Sequence, residues 1–416
     1  MRFSVHSHKA RIATVLLLAV AASCLSDAAN AQDFLDALDD KLSYASVDGT
    51  VQAKLSLIGD VTLYSIDTPA PGLLFTNSDF FAAPRLSAFL DVQLGERVSL
   101  HAQMRADRGF DPGLESGGQV RMDEYFVDYH AMNTPRLDLR AGKFATVFGS
   151  WADRSLAWDN PMITAPNAYD TLVPITASAA PSSAAAFAAR RNVPANKSTW
   201  VPVIWGASYA TGAAVLGQID AVDYALEVKN VAPSANPDTW DGFDYGFPTR
   251  PTATARLGYR PAPEWTLGTS LSRGPYLREV AQSTLPAGTD LNDFDQTIWG
   301  VDAAFAHGSW QVWSELIHST FDVPRVGNVA VLVGYVETKY KITAQTWAAL
   351  RLNHSWYGDN PALSTSWDRN ATGVDAGLGY RINMRIEAKL QYSYNHQQSP
   401  DNEGHHLVAA QMVMKF

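Results

Sequence analysis

The sequence is almost without cysteine: the single thiol, Cys24, lies before residue 32. Beyond that point no disulfide can cross-link the chain and no thiolate can hold a metal. The 10 histidines show no ligand spacing, so neither a metal nor a cofactor is expected. Long apolar runs are also missing. Nothing after Gln32 reaches the roughly 18 consecutive apolar residues of a membrane-spanning helix. Positive charge is scarce, with 32 Lys and Arg against 42 Asp and Glu, a net charge of -10. The leading segment holds Arg2, Lys9, Arg11 and Asp27, a net +2, so the remainder is near -12. That balance argues against nucleic acid as a partner.

What is present begins with an export signal. MRFSVHSHKAR is basic, IATVLLLAVAASCL is apolar, and Ala29-Asn30-Ala31 supplies small residues for cleavage before Gln32. The segment 1–31 reads as a signal peptide, because its apolar run is shorter than the ~20 residues of a span. Residues 32–46, including DFLDALDDKLSYAS, read as a short periplasmic segment, expected as an amphipathic helix. Residues 47–416 read as one domain. Aromatics are plentiful, with 12 Trp, 16 Tyr and 17 Phe. An exported, aromatic-rich, helix-poor chain is either a soluble β protein or a transmembrane β-barrel.

The strands decide. In TVQAKLSLIGDVTLYSI, Val51, Ala53, Leu55, Leu57, Val61 and Leu63 share one face, and Gln52, Lys54, Ser56, Asp60 and Thr62 the other. Ile58 is the exception. RLSAFLDVQL and RVSLHAQMRAD repeat the pattern around Gly95-Glu96, a two-faced hairpin. Further pairs turn at Asn133-Thr134-Pro135, Pro261 to Glu264, His307-Gly308, Lys341-Ile342 and Asn383, with a weaker pair over 203–219 and 222–230. The count is sixteen antiparallel strands, within a range of 14–18, at a porin-like spacing. Short turns alternate with long connections: 68–83, 110–119, 145–200, 232–250, 275–294 and 357–371. That rhythm, with charges crowding the polar face, predicts an all-β transmembrane barrel with short periplasmic turns and long external loops.

A barrel must close, because an open edge in lipid leaves backbone groups unpaired. The chain ends HHLVAAQMVMKF, with Val408, Ala410, Met412, Met414 and Phe416 on one face. This strand resembles the C-terminal strand of Gram-negative outer-membrane proteins. The resemblance implies outer-membrane lipid and lipopolysaccharide as surroundings, and Phe416 as the signal read by the barrel assembly machinery. YFVDYHAMNTPRLDLRAGKFATVFGSW is similar to a segment of porins, including the phosphate-selective group, through Tyr125, Asp128, Tyr129, Gly142, Lys143, Phe144, Phe148 and Gly149. That likeness implies a homotrimer and a following loop, 145–200, that folds inward and narrows the lumen. The loop carries Asp153, Arg154, Asp159 and Arg190-Arg191, and its SAAPSSAAAFAAR stretch predicts a short helix.

If the apolar face meets lipid, the other lines the pore. It places Arg85, Arg97, His101, Arg105 and Arg140 on one wall, with Asp153 and Asp159 of the loop facing them across a transverse field. Later strands add Asp302, Glu315, Glu337, Lys339, Arg351, Asp375, Arg381, Arg385, Glu387 and Lys389. The bland reading of each is a solvated face. Trp299, Trp310, Tyr259, Tyr335, Tyr340, Tyr380, Tyr392 and Tyr394 read as interfacial girdles. Phe126, Trp313 and Trp347 read as inward. Asp128 and His130 share a face without an identifiable nucleophile, and His354 and Ser355 point to opposite faces. The reading is therefore a passive channel for small polar or charged solutes, not an enzyme. A closed barrel displaying its loops, or a barrel hydrolase, are the alternatives.

Overall fold

The computed structural model describes residues 42–416 except 68–70, 75, 77, 110–117, 193–198, 239–249, 364 and 399–403. The expected signal peptide and helix over 33–41 lie outside the described residues. Sixteen antiparallel strands form one closed sheet. The first eight are β1 (Val51–Ile66), β2 (Phe80–Leu94), β3 (Val98–Asp107), β4 (Gln119–His130), β5 (Asp138–Phe144), β6 (Ala210–Ile219), β7 (Val222–Lys229) and β8 (Thr252–Ala262). The rest are β9 (Trp265–Pro275), β10 (Asp295–His307), β11 (Trp310–Val323), β12 (Gly327–Lys341), β13 (Thr346–Tyr357), β14 (Ala371–Arg381), β15 (Ile386–Gln397) and β16 (Gly404–Lys415).

Every strand pairs with its sequence neighbours, and β16 closes on β1 from Ile58↔Lys415 to Ile66↔Leu407. The last residue is held: Phe416 donates its N–H to Leu57 at 2.9 Å, and its carbonyl accepts from Leu57 at 3.1 Å. Below it a three-residue strand, Ser43–Ala45, pairs with Gln52–Lys54. It ends the 32–46 segment as strand where helix was expected. Together these partners cover the β1 edge nearly along its length, which is the condition for standing in lipid.

The distribution of side chains is inverted relative to a water-soluble protein. Leu257 is 56% exposed and Leu352 52%, while Glu337 and Asp123 are fully buried. Leu55, Leu86, Leu90, Val127 and Leu139 lie on the exposed outer face. Alternation at period two produces this directly. Trp265, Trp299, Trp310, Tyr259, Tyr340 and Tyr380 are likewise exposed. Tyr335 is not: it is 3% exposed and its hydroxyl accepts from Arg154, so it belongs to the interior rather than to a girdle.

Two local features break the alternation. Gln103 pairs with Glu124 and Met104 with Met122, so Asp123 is skipped. This bulge turns two successive acids, Asp123 and Glu124, to the inside. Strand β12 begins NVAVLVG, apolar on both faces. Its inner face, Val329, Val331 and Val333, is buried under residues of the 145–209 connection, among them Val173, Ile175, Phe187, Val203, Ile204 and Trp205. A strand covered on both faces needs no polar side.

That connection starts at Ala145 and runs to Tyr209, so residues 203–209 are loop where strand was expected. It contains a helical turn, α1 (Asn167–Asp170), and the expected short helix, α2 (Ala184–Arg190). The Ser183 hydroxyl caps α2 by accepting from Ala186 N–H at 3.1 Å. A ribbon of Leu172–Val173 against Val201–Pro202 completes it. The long-and-short rhythm has one clear exception: β11 and β12 are joined on the loop side by residues 324–326 alone.

Candidate solute passage

The basic wall is on the inside, but it is not bare. Arg85 Nε donates to Asp60 at 2.8 Å. Arg105 Nε stands 2.7 Å from Asp123. Arg140 grips Asp128 through Nε and Nη2 at 2.8 and 2.9 Å. His101 Nδ1 lies 2.6 Å from Asp91. Arg121, not singled out in the sequence, is 1% exposed and bridges Asp107 and Asp123. The bulge hid it, because the simple alternation of RMDEYF fails at Asp123. Arg97 lies in the turn before β3, exposed to solvent, and is not on the wall. The strand begins one residue after it, at Val98.

The loop side is built from single inner-wall residues that each accept or donate several bonds. Thr146 Oγ1 donates to Glu227 at 2.9 Å. Gly149 N–H donates to Ser270 at 3.1 Å. One oxygen of Glu315 accepts Ser150 N–H at 2.6 Å, Ser150 Oγ at 2.7 Å and Trp151 N–H at 3.0 Å. Its other oxygen accepts Tyr169 OH. Gly149 sits in this knot at φ +73, and a Cβ there would meet Tyr169 Oη at 2.4 Å. Only glycine fits the position. Arg154 pairs with Glu337 and stacks on Trp313 at 4.5 Å. Arg351 binds Asp375 at 2.8 Å, Glu337 at 3.2 Å and Thr164 O at 3.0 Å. Gln391 reaches Thr164 Oγ1 at 2.7 Å. Asp302 holds Arg256.

The two loop acids part company. Asp153 is exposed to the lumen beside Arg256 and Arg140. The walls displace enough water to push its carboxyl above the ordinary range, against the pull of those two cations. Asp159 faces the other side, among Lys415, Lys389 and Lys339, where lost hydration again pushes it up and the lysines oppose. Asp153 thus lies within the field of Arg140 on the β2–β5 wall, whereas Asp159, expected on the same side, lies among lysines of β12, β15 and β16. Arg385 lies in the turn before β15, where its carbonyl accepts from Lys415 N–H at 2.9 Å. Along the uncovered wall of β1–β5 lies a cavity of about 400 Å³ lined by Gln52, Lys54, Asp91, Ser99, His101, Phe126, Asp128 and Arg140.

The histidine pair is also resolved. Asp128 is committed to Arg140. His130 turns instead to Asp138, Nδ1 to Oδ1 at 2.7 Å, and its Nε2 stands 3.3 Å from Ser99 Oγ. These are residues of three adjacent strands, so no sequence spacing announced the serine. His354 bonds Thr372 at 2.7 Å, while Ser355 is buried inside.

No protein-family model matches the chain, and no curated protein matches it. Solved structures do. The anion-selective porin from Comamonas acidovorans is 11% identical, with 88% of this chain covering 100% of that one at a TM-score of 0.56. The outer-membrane channel DcaP of Acinetobacter baumannii is 11% identical, with 90% and 99% covered and a TM-score of 0.56. Salmonella typhi OmpF, solved with daunomycin, is 10% identical, with 90% and 100% covered and a TM-score of 0.57. At such identity the likeness is one of fold. The chain is a closed sixteen-stranded antiparallel barrel with the fold of these outer-membrane channels.

Proposed function

We propose that the chain is a passive diffusion channel for small polar or charged solutes, narrowed by the 145–209 loop. One observation carries the reading. The loop is tied to inward residues of β7, β9, β11, β12, β13 and β15, while the wall of β1–β5 keeps a polar cavity. Atoms fixed on one side set a width, and ion-paired arginines on the other orient water that an apolar solute has to displace. Refolded protein in a planar bilayer is expected to give steady single-channel current. A folded barrel that passes none rejects the channel and favours the closed, loop-displaying barrel.

The same proposal takes the barrel as a homotrimer, its Phe416 read by the assembly machinery. An outer groove of about 1040 Å³, lined by Gly59, Ala82, Pro84, Ala106 and Ala410 among others, supports a close neighbour at β1–β3 and β16. Kinship with the phosphate-selective group rests on the segment from Tyr125 to Gly149. A hydrolase is the second reading, favoured by the Ser99–His130–Asp138 chain. Labelling of Ser99 by a fluorophosphonate, lost in Ser99→Ala, supports it, whereas unlabelled protein with normal conductance leaves the channel alone.

A further inference from the structure

The arginines of β2–β5 are occupied by carboxylates of their own wall. Opposite, Arg381 and Lys389 share the single carboxylate of Glu387, Lys339 and Lys415 have none among the described residues, and the group gathers at the loop's deepest turn, Ala157 to Asn160. Lys389 Nζ donates to the carbonyls of Ala157 and Asn160, the latter at 2.6 Å, and pins that turn to β15. The Trp158 ring then lies 4.3 Å from Lys415 Nζ and 5.4 Å from the Arg381 guanidinium. Lys415 and Arg381 are the last residues of β16 and β14, so the loop tip reaches the level of the periplasmic turns. Lys339 Nζ stands 4.6 Å over Trp347.

Two charges oppose this group, Glu387 on β15 and Asp159 on the loop, against Lys339, Arg381, Lys389 and Lys415. Four cations less two carboxylates leave a surplus of two. The neighbouring acids are already taken: Glu337 by Arg154 and Arg351, Asp60 by Arg85. The contacts of Lys339 and Lys415 matter most. An aromatic face holds an ammonium in place without accepting its N–H groups as a carboxylate would. Among the described residues neither ammonium has a hydrogen-bonded acceptor, yet both are positioned.

We infer that Lys339, Lys415 and Arg381, set around Trp158 and Trp347, form a transient binding site for a small organic carboxylate crossing the channel. The inference rests on the channel reading above. A carboxylate fits because its two oxygens match a guanidinium fork and an ammonium together, which a halide cannot. Asp159 competes for the same donors, so occupancy stays weak and the anion leaves, as conduction requires.

The test uses the full refolded protein in planar bilayers under a KCl gradient, with potassium succinate and potassium phosphate as probes. Lys339→Met with Lys415→Met keeps length and apolar packing and removes the two ammonium groups. Wild type is expected to be anion-selective and to lose chloride current on adding succinate. The double variant is expected to shift toward cation selectivity and to need at least severalfold more succinate, while Arg97→Ala changes neither. Unchanged selectivity and block in the double variant overturn the site. Stronger block by phosphate than by succinate overturns the carboxylate assignment. If no current flows at all, the channel reading fails separately. Calorimetric titration of the folded barrel in detergent then decides the site: succinate heat lost in the double variant supports it, and no heat in wild type rejects it.

Discussion

Glu315→Ala tests whether the loop is a fixed part of the passage. Glu315 is 4% exposed and its carboxylate accepts four bonds from the loop, through Ser150 N–H and Oγ, Trp151 N–H and Tyr169 OH. A hydrogen bond to a charged group contributes about 1.5–3 kcal/mol, so simple addition gives a ceiling of ~6–12 kcal/mol. Water enters the gap and the remaining ties at Glu227, Glu337 and Gln391 persist, which lowers the figure. Breaking one side of a buried charged contact costs about 3–5 kcal/mol, and that is the expected local loss. At about 1.4 kcal/mol per tenfold, opening of the 146–170 segment rises more than a hundredfold.

Trypsin reads this directly. Arg154 is 9% exposed in the intact loop. Wild type is expected to resist cleavage there, and Glu315→Ala to be cut, with unchanged barrel mobility on gels. Single-channel traces of the variant are expected to show larger and noisier current. Glu315→Gln keeps an oxygen for the two backbone donors and is expected to fall between. A variant as resistant as wild type, with quiet and unaltered current, refutes the reasoning: the loop would then be held elsewhere, and Glu315 would be no part of the passage.

Three further outcomes follow from the same geometry. Arg121→Met leaves Asp107 and Asp123 buried without their shared cation; it is expected to lower stability by about 3–5 kcal/mol, read as an earlier urea midpoint. Asp159 titrates above the ordinary aspartate range and is faced by Lys339 of β12, Arg381 of β14, Glu387 and Lys389 of β15 and Lys415 of β16. Mild acid therefore removes a negative charge from this group first, so anion preference is expected to rise as pH falls, and Asp159→Asn to remove that dependence. Asp368, in the outer loop after β13, is pushed up to about 7 by burial, against the Arg369 backbone N–H and the Arg369 and Arg191 guanidinium groups. A raised folded-state value means stability present at low pH and lost as pH rises through about 7, a loss approaching ~4 kcal/mol. Corrected for the intrinsic base-catalysed rate, hydrogen-exchange protection in 358–370 is expected to fall between about pH 4 and 7, and to be independent of pH in Asp368→Asn.

The barrel was legible because its code is short. Period two, a turn residue and a closing apolar strand suffice, and each is visible in stretches such as RLSAFLDVQL or the final VAAQMVMKF. The passage was less legible for a physical reason. Its parts meet across strands, and strand register is not written at any one position. Ser99, His130 and Asp138 come together only because β3, β4 and β5 are neighbours in a given register. Lys415 lay on the inward face by simple counting from Gln411, but its partner Trp158 is some 250 residues earlier in a loop. Arg121 was hidden by the bulge at Asp123, and Tyr335 was misplaced because a tyrosine near other aromatics looks interfacial. Arg97 fell outside its strand by one residue, where counting is weakest.

These failures share a direction. Lipid demands only that outward positions be apolar, so many sequences satisfy it, and barrels at about 10% identity superpose. The inner face answers to a second demand, which is that every charge withdrawn from bulk water find a partner. In this lumen most do. Arg85, Arg105, Arg121, Arg140, Arg256 and Arg351 each meet a carboxylate. A wall so satisfied orients water but has little left with which to hold a solute. The charges left over are therefore the informative ones. Lys339 and Lys415 are fixed by aromatic faces that leave their N–H donors open. Selectivity in a paired lumen is expected to follow these few surplus groups rather than the net charge of the chain, whose loop carboxylates face bulk electrolyte and are screened within ~8–10 Å.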